Sequence, residues 1–217
     1  MSLYRLDASI RTDGSHSRRI ADLVEEQWQA AHPGDEVVRR HVGTDPLPAR
    51  AWADAIAASA VPVEDRTPAQ QEAAALATTL VDEIAGADAL LFAVPLYNFG
   101  VSQHFKAWVD LVITEPRMGP GAEIPIAGKP AVLVTVRGGA YGAGTPREGW
   151  DHATPWIRRI LADVWGLDLE VVEAEFTLVG VNPALDQFKD LAARLRSDAE
   201  DAARTLGREL AARRAAA

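Results

Sequence analysis

Three hydroxyl side chains, at Ser9, Ser15 and Ser17, lie close together near the start of the sequence, in the segment ASIRTDGSHSRR. Apolar residues then recur at helical spacing over 17–31, which predicts a helix directly after this segment. The first turn of a helix has backbone N–H groups without an intrahelical partner, and these groups attract an anion such as phosphate. The segment therefore predicts a phosphate site, with His16 contacting the ligand through its backbone.

A simpler interpretation is that Ser15 or Ser17 only caps the predicted helix, because serine is a common N-cap residue. The segment lacks the G-x-x-x-x-G-K-[ST] loop of nucleoside triphosphatases and the G-x-G-x-x-G turn of dinucleotide-binding domains. If the segment binds phosphate, a monophosphate held by hydroxyl and backbone N–H groups fits it better than a triphosphate or a dinucleotide.

A second candidate segment, PLYNF at 95–99, follows the continuously apolar run ADALLFAV. Such a run predicts a strand buried on both faces of a sheet, and Pro95 is expected to end it because proline cannot donate to sheet hydrogen bonds. Tyr97 and Phe99 offer flat apolar surface, and Asn98 both donates and accepts hydrogen bonds. Together they predict one wall of a site for a planar heterocycle. The alternative is that the two rings pack in the core beneath the next helix, and this alternative is stronger for Phe99 than for Tyr97.

A third segment, VRGGAYGAG, continues from another wholly apolar run, AVLVTV. Gly138 and Gly139 have no Cβ, so a ligand can approach the backbone closely there. Two glycines in a turn are by themselves more often only a turn. The pair becomes significant if the three segments meet at one place in the fold.

The elements that would position these segments alternate between strands and helices. The predicted strands are 3–8, 36–42, 87–94, 131–137 and 168–177, and the principal predicted helices are 17–31, 67–86, one after the PLYNF segment, 155–165 and a long one that begins at 182. This alternation predicts a doubly wound α/β fold, with a five-stranded parallel sheet and helices on both faces, in a single domain over 1–217. Ligands of such folds bind beyond the carboxyl ends of the strands, where all three segments are expected.

Bulk composition excludes several classes of function. The 217 residues carry a net charge of −9, which argues against nucleic acid and against an anionic membrane surface as partners. The sequence has no cysteine, which removes disulfides, thiolate metal sites and a cysteine nucleophile. The five histidines are scattered, and no G-x-S-x-G elbow is present, so neither a metal site nor a serine hydrolase is expected. No apolar run reaches the roughly 18 residues of a membrane span, and a cytoplasmic protein is expected.

Taken in order, the motifs resemble those of the FMN-dependent, NAD(P)H-using azoreductases and quinone oxidoreductases of the flavodoxin-like superfamily. The resemblance rests on SIRTDGSHS, PLYNFGVSQHFKAWVDLV and RGG, and it extends along almost the whole chain. It implies a flavodoxin-like fold, bound FMN, NADH or NADPH as electron donor, and a quinone or azo compound as acceptor. It also implies a homodimer with its active sites at the subunit interface.

The resemblance assigns cofactor contacts to residues of this sequence. They are Ser9, Ser15, His16 and Ser17 for the phosphate, Pro95, Leu96, Tyr97, Asn98 and Phe99 for the flavin ring, and Val136, Arg137, Gly138 and Gly139 for its pyrimidine edge. Leu96 stands where the family commonly has methionine, and Val136 stands where serine is common, so one hydroxyl contact to the flavin is expected to be absent. No side chain is expected to be catalytic, because the flavin carries the chemistry.

The activity that this resemblance implies is a two-electron, ping-pong reduction. The nicotinamide reduces the flavin and leaves, and the quinone or azo acceptor then takes the electrons. Other functions on the same fold are an NAD(P)H:FMN reductase, a flavodoxin-like carrier of single electrons, or a ligand-sensing module without catalysis.

Overall fold

The structure, a computed structural model, describes residues 1–145 and 147–213, so residues 146 and 214–217 of the predicted domain lie outside it. The strands are β1 (Ser2–Asp7), β2 (Glu36–His41), β3 (Ala89–Tyr97), β4 (Gly100–Val101), β5 (Pro130–Val136) and β6 (Asp168–Ala174). The helices are α1 (His16–Ala31), α2 (Ala51–Ser59), α3 (Pro68–Gly86), α4 (Gln103–Val112), α5 (Thr154–Arg158) and α6 (Lys189–Ala212).

Five of the strands form a parallel sheet in the order β2-β1-β3-β5-β6. The chain starts near the middle, moves to one edge and then crosses to the other, which makes a switch point between β1 and β3. This order is the flavodoxin-like one, and it confirms the predicted doubly wound parallel sheet. Loops that follow β1, β3 and β5 therefore meet at one edge of the sheet.

Apolar side chains cover the sheet on both faces. On one face Ile20, Val24 and Trp28 of α1 pack with buried side chains of α6 against the strands. On the other face Phe105 and Trp108 of α4 pack with buried residues of α2, α3 and α5. Because β3 is covered on both sides, it is buried along nearly its whole length, as its unbroken apolar sequence predicts.

The prediction that Pro95 ends the third strand is wrong. β3 continues to Tyr97, and Pro95 stays in register with Val136 of β5. The carbonyl of Ala93 accepts a hydrogen bond from Ala8 on the β1 side, and groups two residues apart in a strand point to the same side. The backbone nitrogen of Pro95 therefore faces the β1 side of β3. Because the pairing with β1 ends at Ala93, the lack of an N–H at Pro95 costs no sheet hydrogen bond. Beyond this point the chain turns back, and β4 pairs antiparallel with the end of β3.

Two helices differ in detail from their predicted form. The predicted helix over 155–165 is α5 followed by a π-helical turn, Arg159–Val164. The long C-terminal helix begins with a 3-10 turn, Pro183–Phe188, before α6. Within the described part of the chain, every helix is too short or too polar to cross a membrane.

Candidate functional site

A cleft lies at the carboxyl edge of the sheet, beside the start of α1. Its lining residues are Ser9, Arg11, Ser15, His16, Ser17, Pro95, Leu96, Tyr97, Val136, Gly138, Thr177 and Leu178. Residues from all three predicted segments are thus brought together in one place. The other predicted residues, Asn98, Phe99, Arg137 and Gly139, lie around the cleft rather than in its lining.

The serine loop forms the end of the cleft nearest to α1. Ser9, Ser15 and Ser17 are 3%, 7% and 1% exposed. Ser15 is the N-cap of α1, since its Oγ accepts a hydrogen bond from the Arg18 N–H at 3.3 Å and lies 3.3 Å from the Oγ of Ser17. The cap satisfies the Arg18 N–H and leaves the N–H groups of His16 and Ser17 without an acceptor among the described residues. Capping and cleft lining are therefore both properties of this loop.

Positive charge surrounds the serine loop. The Arg18 guanidinium donates to the carbonyls of Arg11 and Thr12, which holds the loop closed on itself. Burial, followed by the nearby charges of Arg19, Arg196 and Arg11, lowers the pKa of His16 below its ordinary value of 6.5. Because these cations disfavour a further proton on His16, the same surroundings favour a bound anion.

Gly43 supports the serine loop from behind. A Cβ at this position would lie 2.2 Å from the carbonyl oxygen of Ser9 and 2.8 Å from the carbonyl carbon of Ala8. Only glycine allows the two backbones to come this close. The sequence predicted site residues in the loops after β1, β3 and β5 and did not predict Gly43. Gly43 directly follows the second predicted strand.

The PLYNF segment makes a tight hairpin between β3 and β4. Tyr97 pairs with Gly100, so Asn98 and Phe99 form a two-residue turn, with φ angles of 48° and 67°. Both lie in the left-handed region, which asparagine tolerates better than phenylalanine does. Tyr97 faces the cleft, whereas Asn98 lines an adjacent depression together with Ile10.

Phe99 is not a core residue. Its side chain is 39% exposed, and its ring meets the rings of Tyr141 and Trp150 edge to face, with centroids 6.2 and 5.5 Å away. The backbone carbonyl of Phe99 accepts a hydrogen bond from the His152 N–H at 2.9 Å. The turn is therefore fastened to the loop that follows β5.

The adjacent glycines Gly138 and Gly139 of VRGGAYGAG line two different clefts. Gly138 lines the cleft, and a Cβ there would come within 2.6 Å of the Leu178 side chain. Gly139 lines a second cleft with Arg147 and Phe176. Among the described residues, the N–H groups of Gly138 and Gly139 have no hydrogen-bond acceptor, and Gly138 is the one of the two that lines the cleft.

Arg137 directs its side chain away from the cleft. The guanidinium is 5% exposed and pairs with Glu173 at 2.8 Å, Glu175 at 3.3 Å and Asp151 at 2.7 Å. Its backbone carbonyl accepts hydrogen bonds from the N–H and the hydroxyl of Thr177, at 3.1 and 3.0 Å. Arg137 thus anchors the glycine loop to the end of β6, and only its backbone is close to the cleft.

Three lining residues were not predicted, namely Arg11, Thr177 and Leu178. Arg11 lies inside the serine segment, so its neighbours were a sufficient signal. Thr177 and Leu178 come after the last strand of the sheet, whose carboxyl end shares the same edge. The rule that located the other segments applies to this strand too, and would have found them.

Comparison with known proteins agrees with this geometry. Residues 1–198 match the family model described as flavodoxin-like fold. A protein of Frankia alni named FMN-dependent NADH:quinone oxidoreductase is 41% identical over 205 residues, covering 94% of this chain and 97% of its own. A protein of Frankia casuarinae with the same name is 40% identical over 204 residues, covering 93% and 96%.

The fold also matches solved structures. An azoreductase from Bacillus anthracis has a TM-score of 0.77 at 19% identity, covering 96% of this chain and 99% of its own. At that identity the likeness concerns the fold alone. Together with the family match and the Frankia relatives, it confirms the resemblance identified in the motifs. The chain belongs to the flavodoxin-like-fold family, in the group that contains the FMN-dependent NADH:quinone oxidoreductases.

Proposed function

We propose that this protein is an FMN-dependent NADH:quinone oxidoreductase that also reduces azo compounds. The observation that carries the proposal is the cleft, in which buried serine hydroxyls and the start of α1 lie at one end and Leu96, Tyr97 and Gly138 form the walls. The names of the Frankia relatives, at 41% and 40% identity, support this activity.

The residues of the cleft fit FMN. The hydroxyls of Ser9, Ser15 and Ser17 and the first N–H groups of α1 would bind the phosphate, because they combine hydrogen-bond donors with the positive end of the helix. The apolar surfaces of Leu96 and Tyr97 would lie along the flavin ring. The Gly138 N–H, which has no acceptor among the described residues, would meet its polar pyrimidine edge.

Bound FMN supplies the two-electron chemistry, so that NADH, a proton and a quinone yield NAD⁺ and a hydroquinone. The protein's own part is to bind the flavin and to orient it. The Gly138 N–H, which has no acceptor among the described residues and belongs to the cleft lining, would stabilise negative charge at the pyrimidine edge of a bound flavin. The burial of Pro95 and Leu96 keeps water from one side of the site. No side chain need act as an obligatory acid or base, since protons can come from solvent.

The proposal is tested by the flavin content and the acceptor specificity of the purified protein. We expect a yellow protein with one FMN per chain and steady oxidation of NADH in the presence of a quinone. Parallel double-reciprocal lines are expected when NADH and quinone are varied together, because the donor leaves before the acceptor binds. A protein that cannot be loaded with FMN would overturn the proposal.

Two other functions of the same fold give different results in this assay. A single-electron carrier would hold FMN but would not oxidise NADH by itself. A ligand-sensing module would bind FMN or a quinone without turnover. The relatives named for NADH:quinone oxidoreduction favour the enzyme.

We further propose that the protein is a cytoplasmic homodimer of one domain per chain, with the cleft at the subunit interface. Exposed apolar side chains support a dimer, among them Ile10 beside the cleft and Trp52 and Ile56 on α2, which are 56%, 52% and 51% exposed. Light scattering should give twice the chain mass of 23.3 kDa. The need for NADH supports the cytoplasmic location.

A further inference from the structure

Phe99 keeps an unfavourable backbone conformation at the surface. Its φ of 67° lies in the left-handed region, which costs a residue with a Cβ about 1 kcal/mol or more. The ring gains little burial in return, since the side chain is 39% exposed. Strain that packing does not explain is concentrated at functional sites in proteins.

Phe99 and Trp150 form an exposed aromatic surface, and the buried ring of Tyr141, which is 8% exposed, packs against Phe99. The ring of Trp150, itself 50% exposed, meets Phe99 at 5.5 Å with an interplanar angle of 77°. Tyr141 meets Phe99 from another direction at 6.2 Å. The three rings come from the turn after β3 and the loop after β5, which both border the cleft. We call Phe99, Tyr141 and Trp150 the aromatic rim.

Arg147 places an exposed cation on the aromatic rim. Its guanidinium carbon lies 5.9 Å from the centre of the Phe99 ring and 5.8 Å from that of Tyr141, within reach of cation–π attraction. No carboxylate of the described residues pairs with it. The nearby carboxylates bind other donors: Glu148 accepts from the Gly144 N–H at 2.8 Å, and Glu175 from Tyr141 and Arg137.

Arg147 lies beside the glycine loop, on the side of the second cleft, which it lines together with Gly139. A Cβ at Gly139 would come within 3.4 Å of the Arg147 Nη1 atom. Phe99 is only two residues from Tyr97, which lines the cleft. A flat molecule that extends from the cleft past the Phe99 turn would therefore meet exposed rings and then the Arg147 guanidinium, whose Nη1 donates to the Tyr141 hydroxyl at 3.4 Å.

We propose that Arg147 is a specificity-determining residue that selects flat aromatic acceptors bearing a negative group, such as a sulfonate or carboxylate. This proposal rests on the proposed function, because the acceptor is the one that the flavin site reduces. Rings bind the acceptor's aromatic faces, and the guanidinium binds its anionic substituent through charge-assisted hydrogen bonds. The net charge of −9 repels anions from most of the surface, so one unpaired cation at the site has a large effect on which acceptors approach.

The test compares a sulfonated and a neutral quinone. The ratio of kcat/KM for anthraquinone-2-sulfonate to that for menadione is measured with NADH as donor. We expect this ratio to fall about tenfold in Arg147→Gln, which corresponds to about 1.4 kcal/mol, mainly through KM for the sulfonate. Arg147→Lys keeps the charge and should recover at least half of the loss on a logarithmic scale. In the unsubstituted protein, but not in Arg147→Gln, added salt should lower the ratio, because salt screens exposed charges.

The matched control is Arg208→Gln, which removes another exposed arginine, on α6, where the guanidinium donates to Gln27 and Thr205. A ratio that stays within twofold of its original value in Arg147→Gln overturns the proposal, and so does an equal fall in Arg208→Gln or in Arg147→Lys. Binding of anthraquinone-2-sulfonate to the FMN-loaded protein, measured by calorimetry, gives the same comparison without turnover. If neither quinone is reduced, the proposed function fails, and the calorimetric comparison still decides the role of Arg147.

Discussion

The hydroxyl of Tyr97 lies 3.3 Å from the Oγ of Ser9 and accepts a hydrogen bond from the Ile10 N–H at 3.2 Å. One side chain thus joins the end of β3 to the loop after β1, on either side of the switch point of the sheet. The contact sets the distance between the serine loop and the wall formed by Pro95 and Leu96. Both ends of the proposed FMN site therefore depend on it.

Replacing Tyr97 by phenylalanine should weaken FMN binding about two- to tenfold, because a neutral hydrogen bond typically contributes about 0.5–1.5 kcal/mol. Phenylalanine keeps the ring that would cover the flavin, so a loss of FMN affinity measures the contribution of the Tyr97 hydroxyl contacts alone. FMN fluorescence titration of the apoprotein measures the dissociation constant. Tyr4→Phe is the matched control, since Tyr4 is buried against Phe92 and Trp108 in the core, and its change should leave FMN affinity as it was. Equal effects of the two variants on FMN affinity would contradict a role of the Tyr97 hydroxyl in positioning the site.

Gly43→Ala should weaken FMN binding together with stability. The added methyl group cannot fit 2.2 Å from the Ser9 carbonyl oxygen, so the serine loop must move. Such overpacking typically costs about 1–3 kcal/mol of stability. Because the displaced backbone carries Ser9, we expect the FMN dissociation constant to rise at least tenfold, as measured by fluorescence titration at a temperature where the variant is folded.

The control for this prediction is Gly207→Ala, on α6. A Cβ there would lie 2.6 Å from the Val24 carbonyl oxygen of α1, so this change also overpacks a backbone contact. Urea denaturation should show a comparable loss of stability in both variants. Only Gly43→Ala should change the FMN dissociation constant, and a parallel loss of affinity in Gly207→Ala would mean that general loosening, and not the loop, is responsible.

The pattern of apolar runs was enough to predict the sheet and the position of the cleft. β3 is apolar without interruption and β5 is apolar apart from Thr135, which specifies central strands. The residues that follow central parallel strands have to meet at one edge of the sheet. Ser9, Tyr97 and Gly138 were found in this way, without any knowledge of their contacts. This rule depends only on strand direction, so it identifies which segments lie at the edge of the sheet and not which way each side chain points.

The direction of individual side chains within those segments could not be predicted in the same way. Arg137 and Gly138 are neighbours, yet the first binds three carboxylates on the far side of the sheet edge while the second lines the cleft. Loop residues have no fixed period, so their orientation depends on partners distant in sequence, such as Asp151 and Glu173. The close approach of Gly43 to Ser9 is likewise a contact between two loops, and it leaves no periodic signal.

The left-handed backbone at Phe99 makes a prediction about stability. Phe99→Ala and Phe99→Gly both remove the ring and its contacts with Tyr141 and Trp150. Alanine keeps the unfavourable conformation, whereas glycine adopts it freely, so Phe99→Gly should be more stable than Phe99→Ala by about 1 kcal/mol. Urea denaturation of both variants measures the difference. At most positions a glycine variant is less stable than an alanine variant. If Phe99→Gly is less stable than Phe99→Ala, the left-handed turn geometry at position 99 is contradicted.

His16 provides a pH-dependent signal at the proposed phosphate site. Burial and the charges of Arg19, Arg196 and Arg11 lower its pKa in the folded protein below the ordinary 6.5. The unfolded chain therefore binds a proton more readily, and between the lowered pKa and pH 6.5 the free energy of unfolding rises with pH. Stability from this source is lost as pH falls through that window, and His16→Gln should remove this part of the slope.

Phosphate binding should reverse the shift at His16. A phosphate dianion at the start of α1 would stabilise the protonated imidazole and offset the neighbouring arginines, so FMN should raise the pKa of His16. The measurement is an NMR titration of the imidazole Cε1–H resonance, assigned with His16→Gln, in the apoprotein and in the FMN-loaded protein. Riboflavin, which has the same ring without the phosphate, is the control and should leave the low pKa in place. A His16 pKa that does not respond to FMN, or that riboflavin raises equally, would contradict the placement of the phosphate at the serine loop.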